Sequence, residues 1–253
     1  MNYTQEHRTY QHLVAVGDTH GRNKALAYHL MPEVPEGDAI AVLHVGDFGV
    51  GFKSFIGEYD DLHHLNLKLA KNNVHLYVIR GNHDNPMYFN GDALETRNCK
   101  DFTNIEFIAD HTLLSLNING VIKFIYCYGG AISVDRVNRE PTKSYWWNEI
   151  VTELTQEELD EIPSKLDIVL THTRPLGVFP IGKDEIEGWL SRDKCLQHDL
   201  DVEALRINKV FDAINKKNEC YTHYYGHFHT SNTEFIEGRK HQCLAINEVI
   251  EIR

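Results

Sequence analysis

Paired cysteines, long apolar runs and an excess of positive charge are all missing from this chain, and each absence removes a class of protein. The five cysteines (Cys99, Cys127, Cys195, Cys220, Cys243) include no CxxC pair and are odd in number. Neither a disulfide framework nor a thiolate zinc site has its spacing here. No run of about 18 apolar residues occurs, so no spanning helix is expected. The opening MNYTQEHRTYQHLVAVGD lacks the apolar stretch of a secretion signal, and the expectation is a protein of the reducing cytoplasm. With 25 Lys+Arg against 37 Asp+Glu the net charge is −12, so no broad nucleic-acid-binding surface is expected. Repeats, linkers and low-complexity segments are absent too. The chain therefore reads as one domain over residues 1–253, with 175–200 long enough for a lid or substrate-facing insertion. What it has in plenty is histidine: 16, against 12 tyrosines and 11 phenylalanines. Histidine is the commonest metal ligand and a frequent acid–base group.

The first third alternates strand and helix signals. Apolar runs at Leu13–Val16, Ile40–Val45 and Val74–Ile79 read as strands. A short helix is expected from Asn23 to Leu30, stopped by Pro32. Tyr59, Leu62, Leu65 and Leu69 share one face of a helix over 55–71. Such βαβ units imply a parallel sheet. Further on, Asn119-Gly120 between two apolar runs predicts a type I′ hairpin, and Thr155-Gln156-Glu157-Glu158 fits a capping box. Ile207, Val210, Phe211 and Ile214 place a helix over about 201–216. Strands are expected at 167–170, 221–225, 232–236, 242–246 and 249–252.

Five polar clusters each follow one of these strands: Asp18/His20, Asp47, Asn82/His83, His172 and His227/His229. In open α/β sheets, the loops leaving the carboxyl ends of parallel strands converge on the ligand. Residues more than two hundred positions apart would thus meet. Gly17, Gly46, Gly81 and Gly226 beside them suit sharp turns with positive φ. Two carboxylates, an amide oxygen and four imidazoles form a sulfur-free donor set suited to Mn, Fe, Zn, Co or Ni. Seven side chains exceed the needs of one such ion and match two ions sharing a carboxylate. A His-x-His pair on an extended segment would present both rings on one side.

The ordered blocks GDTH, GDFG, GNHD, TH and GHFH, from residue 17 to residue 229, resemble those of the calcineurin-like metallophosphoesterase superfamily. That resemblance implies a two-sheet β-sandwich flanked by α-helices, a four-layer αββα fold. It implies two divalent transition-metal ions, Mn²⁺ foremost, with Fe or Zn as alternatives. Asp18, His20 and His229 would bind one ion, and Asn82, His172 and His227 the other, with Asp47 bridging. Metal-bound hydroxide would attack a phosphate mono- or diester, with His83 as general acid. The formal charge at such a site is +2 within an acidic chain, the sign a phosphate meets.

The second block, GDFGVGF, lacks the later Asp and Arg found in the protein Ser/Thr phosphatases of that superfamily. Residues 129–147 (GGAISVDRVNREPTKSYWW) instead resemble a segment of bacterial and phage-type metallophosphoesterases. Asp84 either orients His83, a catalytic assignment, or caps its turn. Arg80, Arg136, Arg139 and Arg174 are candidate phosphate clamps, with Arg136 foremost for the segment it occupies. The substrate reading is a phosphoprotein or a nucleotide; a nucleotide or nucleic-acid phosphodiesterase is the alternative. A non-catalytic scaffold on the same fold is the competing class, disfavoured because every ligand type is present. Sequence leaves the oligomeric state open.

Overall fold

A computed structural model describes residues 1–23, 26, 35, 37–89, 102–178 and 186–253. Two sheets form the centre. One has five strands in the order β12-β2-β3-β4-β5, where β2 is His12–Val16, β3 Ile40–His44, β4 Val74–Val78, β5 Ile105–Phe107 and β12 Val249–Glu251. Strands β2 to β5 run parallel, and β12 closes the edge antiparallel to β2. The other sheet has seven strands in the order β1-β6-β7-β8-β9-β11-β10. Here β1 is Asn2–Tyr10, β6 Thr112–Ile118, β7 Val121–Tyr128 and β8 Ile168–Thr171. The remaining three are β9 Thr222–Tyr225, β10 Asn232–Ile236 and β11 Arg239–Cys243. The α-helices among the described residues are α1 (Phe55–Lys71), α2 (Gln156–Asp160), α3 (Glu187–Leu190) and α4 (Leu196–Lys217).

The period-2 alternation of strand side chains assigns each apolar residue to a layer. Leu13, Ala15, Ala41 and Leu43 of the five-stranded sheet pack against Leu114, Ile125, Leu170 and Tyr224 of the other. On the far face of the first sheet, Val14, Val16, Val42 and Leu76 meet Leu62, Leu65 and Leu69 of α1. On the far face of the second, Tyr126, Tyr128 and Val169 meet Ile207, Val210, Phe211 and Ile214 of α4. The arrangement is therefore four layers, αββα.

Local signals act where expected. Ser54 caps α1, with its hydroxyl accepting from the Gly57 N–H. Thr155 and Glu158 form the reciprocal capping box of α2, and Asn119 and Gly120, both with positive φ, turn the β6–β7 hairpin. Three differences stand out. Strand β1 is polar on both faces (NYTQEHRTY) and carries no apolar alternation, yet it pairs parallel with β6 at the sheet edge. Helix α4 starts at Leu196, because its first turns are polar and hidden from an apolar count. Strand β11 ends at Cys243, three residues before the expected end. The expected helix over 23–30 lies largely, and residues 179–185 of the 175–200 segment lie wholly, outside the described residues; α3 and the start of α4 fall in the second half of that segment.

Candidate active site

All five polar clusters leave the carboxyl ends of parallel strands: β2, β3 and β4 of one sheet, β8 and β9 of the other. The two edges are tied together, since His172 Nδ1–H donates to the Val45 carbonyl at 2.8 Å. Glycines permit the close approach. A Cβ on Gly81 would sit 2.1 Å from Asp47 Oδ1, and one on Gly226 would sit 2.1 Å from Asp18 Oδ1. Of the four block glycines only Gly46 has positive φ, +99°. The other three serve space, not turn geometry, which corrects the sequence expectation.

Positive φ falls instead on four of the candidate ligands: His20 (47°), Asp47 (53°), His227 (68°) and His229 (55°). Non-glycine residues rarely adopt this region, and such strain concentrates at functional sites. His227 and His229 are thus carried by a left-handed turn beyond the end of β9, not by an extended segment as the His-x-His spacing implied.

Asp47 lies at the centre, 1% exposed. Its Oδ1 is 3.2 Å from His172 Nε2 and accepts the His83 N–H at 2.7 Å, while Oδ2 is 3.8 Å from His20 Nδ1. On one side, ligand atoms of Asp18, His20, Asp47 and His229 lie within 4.8 Å of one another. On the other, Asn82 Oδ1 is 3.0 Å from His172 Nε2 and 2.9 Å from His227 Nδ1. Asp18 Oδ2 accepts the His227 N–H at 3.0 Å. Its Oδ1 is buried without a hydrogen-bond partner among the described residues.

These residues fit divalent cations. A buried carboxylate oxygen without a donor is costly unless a cation meets it. His20 Nε2 and His229 Nε2 approach to 3.0 Å, close enough together to serve one cation with Asp18 and Asp47. The Val45 carbonyl fixes the His172 proton on Nδ1 and turns Nε2 toward the carboxylate, the usual support of a metal-binding imidazole. Burial disfavours a charged His172, yet Asp47, then Asp18, raise its pKa to about 9. The site's field thus favours positive charge.

His83 stands beside this cluster, its ring edge-on to His20 at 4.8 Å and stacked on Phe52 at 6.4 Å. Arg139 Nη2 donates to His83 Nε2 and pairs with Asp135 at 2.6 Å. Burial pushes the His83 pKa down to about 4 against the pull of Asp47, and the charges of Arg139 and His20 add to the fall. Asp84 makes no bond to the His83 ring among the described contacts. Its carboxylate, fully buried, accepts the backbone N–H groups of Phe48, Gly49, Val50 and Gly81 at 2.7–3.2 Å.

The arginines separate sharply. Arg80 is buried, and its donors reach Asp110 and the carbonyls of Asn148, Glu149 and Ile150, leaving none for a phosphate. Arg136 is ion-paired to Asp193 and Asp199, fastening its segment to the start of α4. Arg174 lies over the Phe228 ring at 5.6 Å, between the two histidines of the last block. Arg139, which the sequence reading placed behind Arg136, is the one set against His83. Phe52, exposed beside His83 and edge-on to buried Trp146, carries no sequence signal beyond its place after the second block.

Comparisons with known proteins agree with this geometry. The sequence profile of the calcineurin-like phosphoesterase family matches residues 12–231. A UPF0046 protein of Caenorhabditis elegans is 24% identical over 217 residues, 85% of this chain and 68% of that protein. The crystal structure of a phosphopantetheinyl hydrolase from Mycobacterium tuberculosis superposes with a TM-score of 0.50 at 14% identity, covering 93% of this chain and 90% of that one. That last likeness is one of fold. The chain belongs to the calcineurin-like phosphoesterase family and is a metal-dependent hydrolase of phosphate esters.

Proposed function

We propose that the chain hydrolyses phosphate mono- or diesters at a dinuclear centre. Asp18, His20 and His229 would hold one ion, and Asn82, His172 and His227 the other, with Asp47 available to both. The observation that carries it is the placement of Asp47: its two carboxylate oxygens face histidines from different blocks, His172 and His20. Divalent ions held there, Mn²⁺ foremost, would supply Lewis acidity toward a phosphoryl oxygen and make water a competent nucleophile near neutral pH.

The chain's own residues do the rest. Arg139 offers a planar fork of N–H donors suited to phosphate oxygens. While it donates to His83 Nε2, the imidazole is neutral. A phosphate drawing on Arg139 adds negative charge beside the ring, which favours the protonated form. His83 then delivers that proton to the leaving oxygen. Phe52, exposed next to His83, gives an apolar face on which a nucleobase or aromatic leaving group packs, so nucleotides stand ahead of phosphoproteins as substrates. Diester cleavage is the alternative that the same ligands serve.

The test uses purified variants in Mn²⁺ on an aryl phosphate monoester, a bis-aryl diester, a nucleotide and a phosphopeptide. Asp47→Asn is expected to lower kcat at least 100-fold and to lose bound Mn²⁺. His83→Ala should lower kcat by about 100-fold with Mn²⁺ retained. Near-normal turnover by either variant would sink the assignment.

A further inference from the structure

Asn82 is the only amide in the proposed ligand set, and an amide can be seated in two ways, oxygen or nitrogen toward the cations. Its Nδ2 donates to Ser133 Oγ at 3.0 Å. Ser133 Oγ–H in turn donates to Glu149 Oε2 at 2.8 Å, and the Ser133 backbone N–H donates to Glu149 Oε1 at 2.6 Å. Asn82, Ser133 and Glu149 are 3%, 1% and 1% exposed, so solvent does not compete for these bonds.

The polarity of this chain of bonds follows from one group. An ionised carboxylate only accepts, so it takes the single hydrogen of the Ser133 hydroxyl. The hydroxyl oxygen then has only lone pairs for Asn82, which must present its N–H₂ to Ser133 and its Oδ1 to His172 and His227. Burial pushes the Glu149 carboxyl up to about 7 against its two Ser133 bonds; the ionised form is the one that sets the hydroxyl's direction. Glu149 is itself held, since its carbonyl accepts from Arg80 Nη1 at 2.7 Å and from the Ala131 N–H at 3.1 Å. That gives Arg80 an architectural use.

We propose that Ser133 and Glu149 are positioning residues that fix the Asn82 amide with its oxygen toward the Asn82/His172/His227 half of the metal centre. The inference rests on the reading of Asn82 as a ligand. Partners that orient ligands characteristically change metal affinity by 10- to 100-fold when removed.

The experiment titrates Mn²⁺ alone into metal-free wild type, Asn82→Ala, Ser133→Ala, Ser133→Thr and Glu149→Gln by calorimetry, with the Tm of each metal-free variant measured alongside. Asn82→Ala should lose one of two binding events. Ser133→Ala should weaken that same event about 10- to 100-fold and leave the other unchanged, while Ser133→Thr, which keeps the hydroxyl, restores it to within a few-fold. Glu149→Gln should fall between, and it decides the matter if Ser133→Ala does not fold. Wild-type binding by Ser133→Ala and Glu149→Gln, with one event lost in Asn82→Ala, would overturn the positioning role and leave the ligand reading standing. Equal weakening of both events by Ser133→Ala would also overturn it, as a general structural effect. Two wild-type events in Asn82→Ala would instead remove the ligand reading, and the inference with it.

Discussion

Asp84, next to the candidate general acid His83, serves the backbone and not the imidazole. Its carboxylate gathers four N–H groups, three of them fully buried, from two loops, those after β3 and β4. Burial and the nearby Asp47 charge push its pKa up to about 6, and the N–H bonds oppose this. Asp84→Ala leaves those donors without an acceptor, at about 1–3 kcal/mol for each that stays unsatisfied. A loss of about 3 kcal/mol or more in urea unfolding is expected, and a loss below 1 kcal/mol would contradict the account. The candidate ligands were legible as residue types because metal chemistry restricts the donors to a few side chains at strand ends. The arginines were not. Which guanidinium meets Asp110, which meets Asp193 and which meets His83 depends on contacts 30 to 63 positions away, and residue type carries none of that.

The element that makes the site is the turn at the end of each parallel strand. Gly81→Ala would drive a Cβ to 2.1 Å from Asp47 Oδ1 and 2.2 Å from the Asp47 amide nitrogen. The loop after β3 must then retreat. The expected outcome is a kcat loss of at least 100-fold, with circular dichroism close to wild type; unchanged kcat would show that the close approach is not required. A second, independent check concerns the α2 capping box, where Thr155→Ala should cost about 1 kcal/mol, read from urea unfolding. Strands β2, β3 and β4 and helix α1 were legible because apolar period and turn residues agree. Strand β1 was not, because an edge strand stabilised by backbone pairing to β6 needs no apolar face. The conformations of His20, Asp47, His227 and His229 were hidden for the opposite reason. Positive φ follows from sequence when glycine supplies it, and here tertiary packing imposes it.

At the scale of the molecule, the described histidines divide among the site, the interior and the surface, where His7, His64 and His198 lie exposed. His44, His75 and His223 are buried outside the candidate ligand set, and burial lowers each pKa, to about 3 for His44 and about 4 for His75. A folded-state value below the unfolded one of roughly 6.5 means that the unfolded chain binds more protons. Stability from such a histidine is complete above that pH and is lost as pH falls toward the folded value. Glu106, Glu149 and Glu203, raised by burial to about 6, 7 and 7, act in the opposite sense, so the net slope of the wild type is not diagnostic. The comparison with His75→Gln is. Between pH 7.5 and pH 5, wild type should lose about 2 kcal/mol relative to that variant, at 1.36 kcal/mol per pKa unit. Parallel profiles would contradict the assignment of His75 as a buried neutral group.

The dinuclear proposal rests on one carboxylate, Asp47, shared by two metal sites. Elemental analysis after equilibrium dialysis against Mn²⁺ tests it most directly, on wild type and Asp47→Asn together. About two ions per chain are expected in the wild type, with a clear loss in Asp47→Asn. A wild-type chain that takes up one ion or none at saturating Mn²⁺, or an Asp47→Asn chain that keeps both, would contradict it.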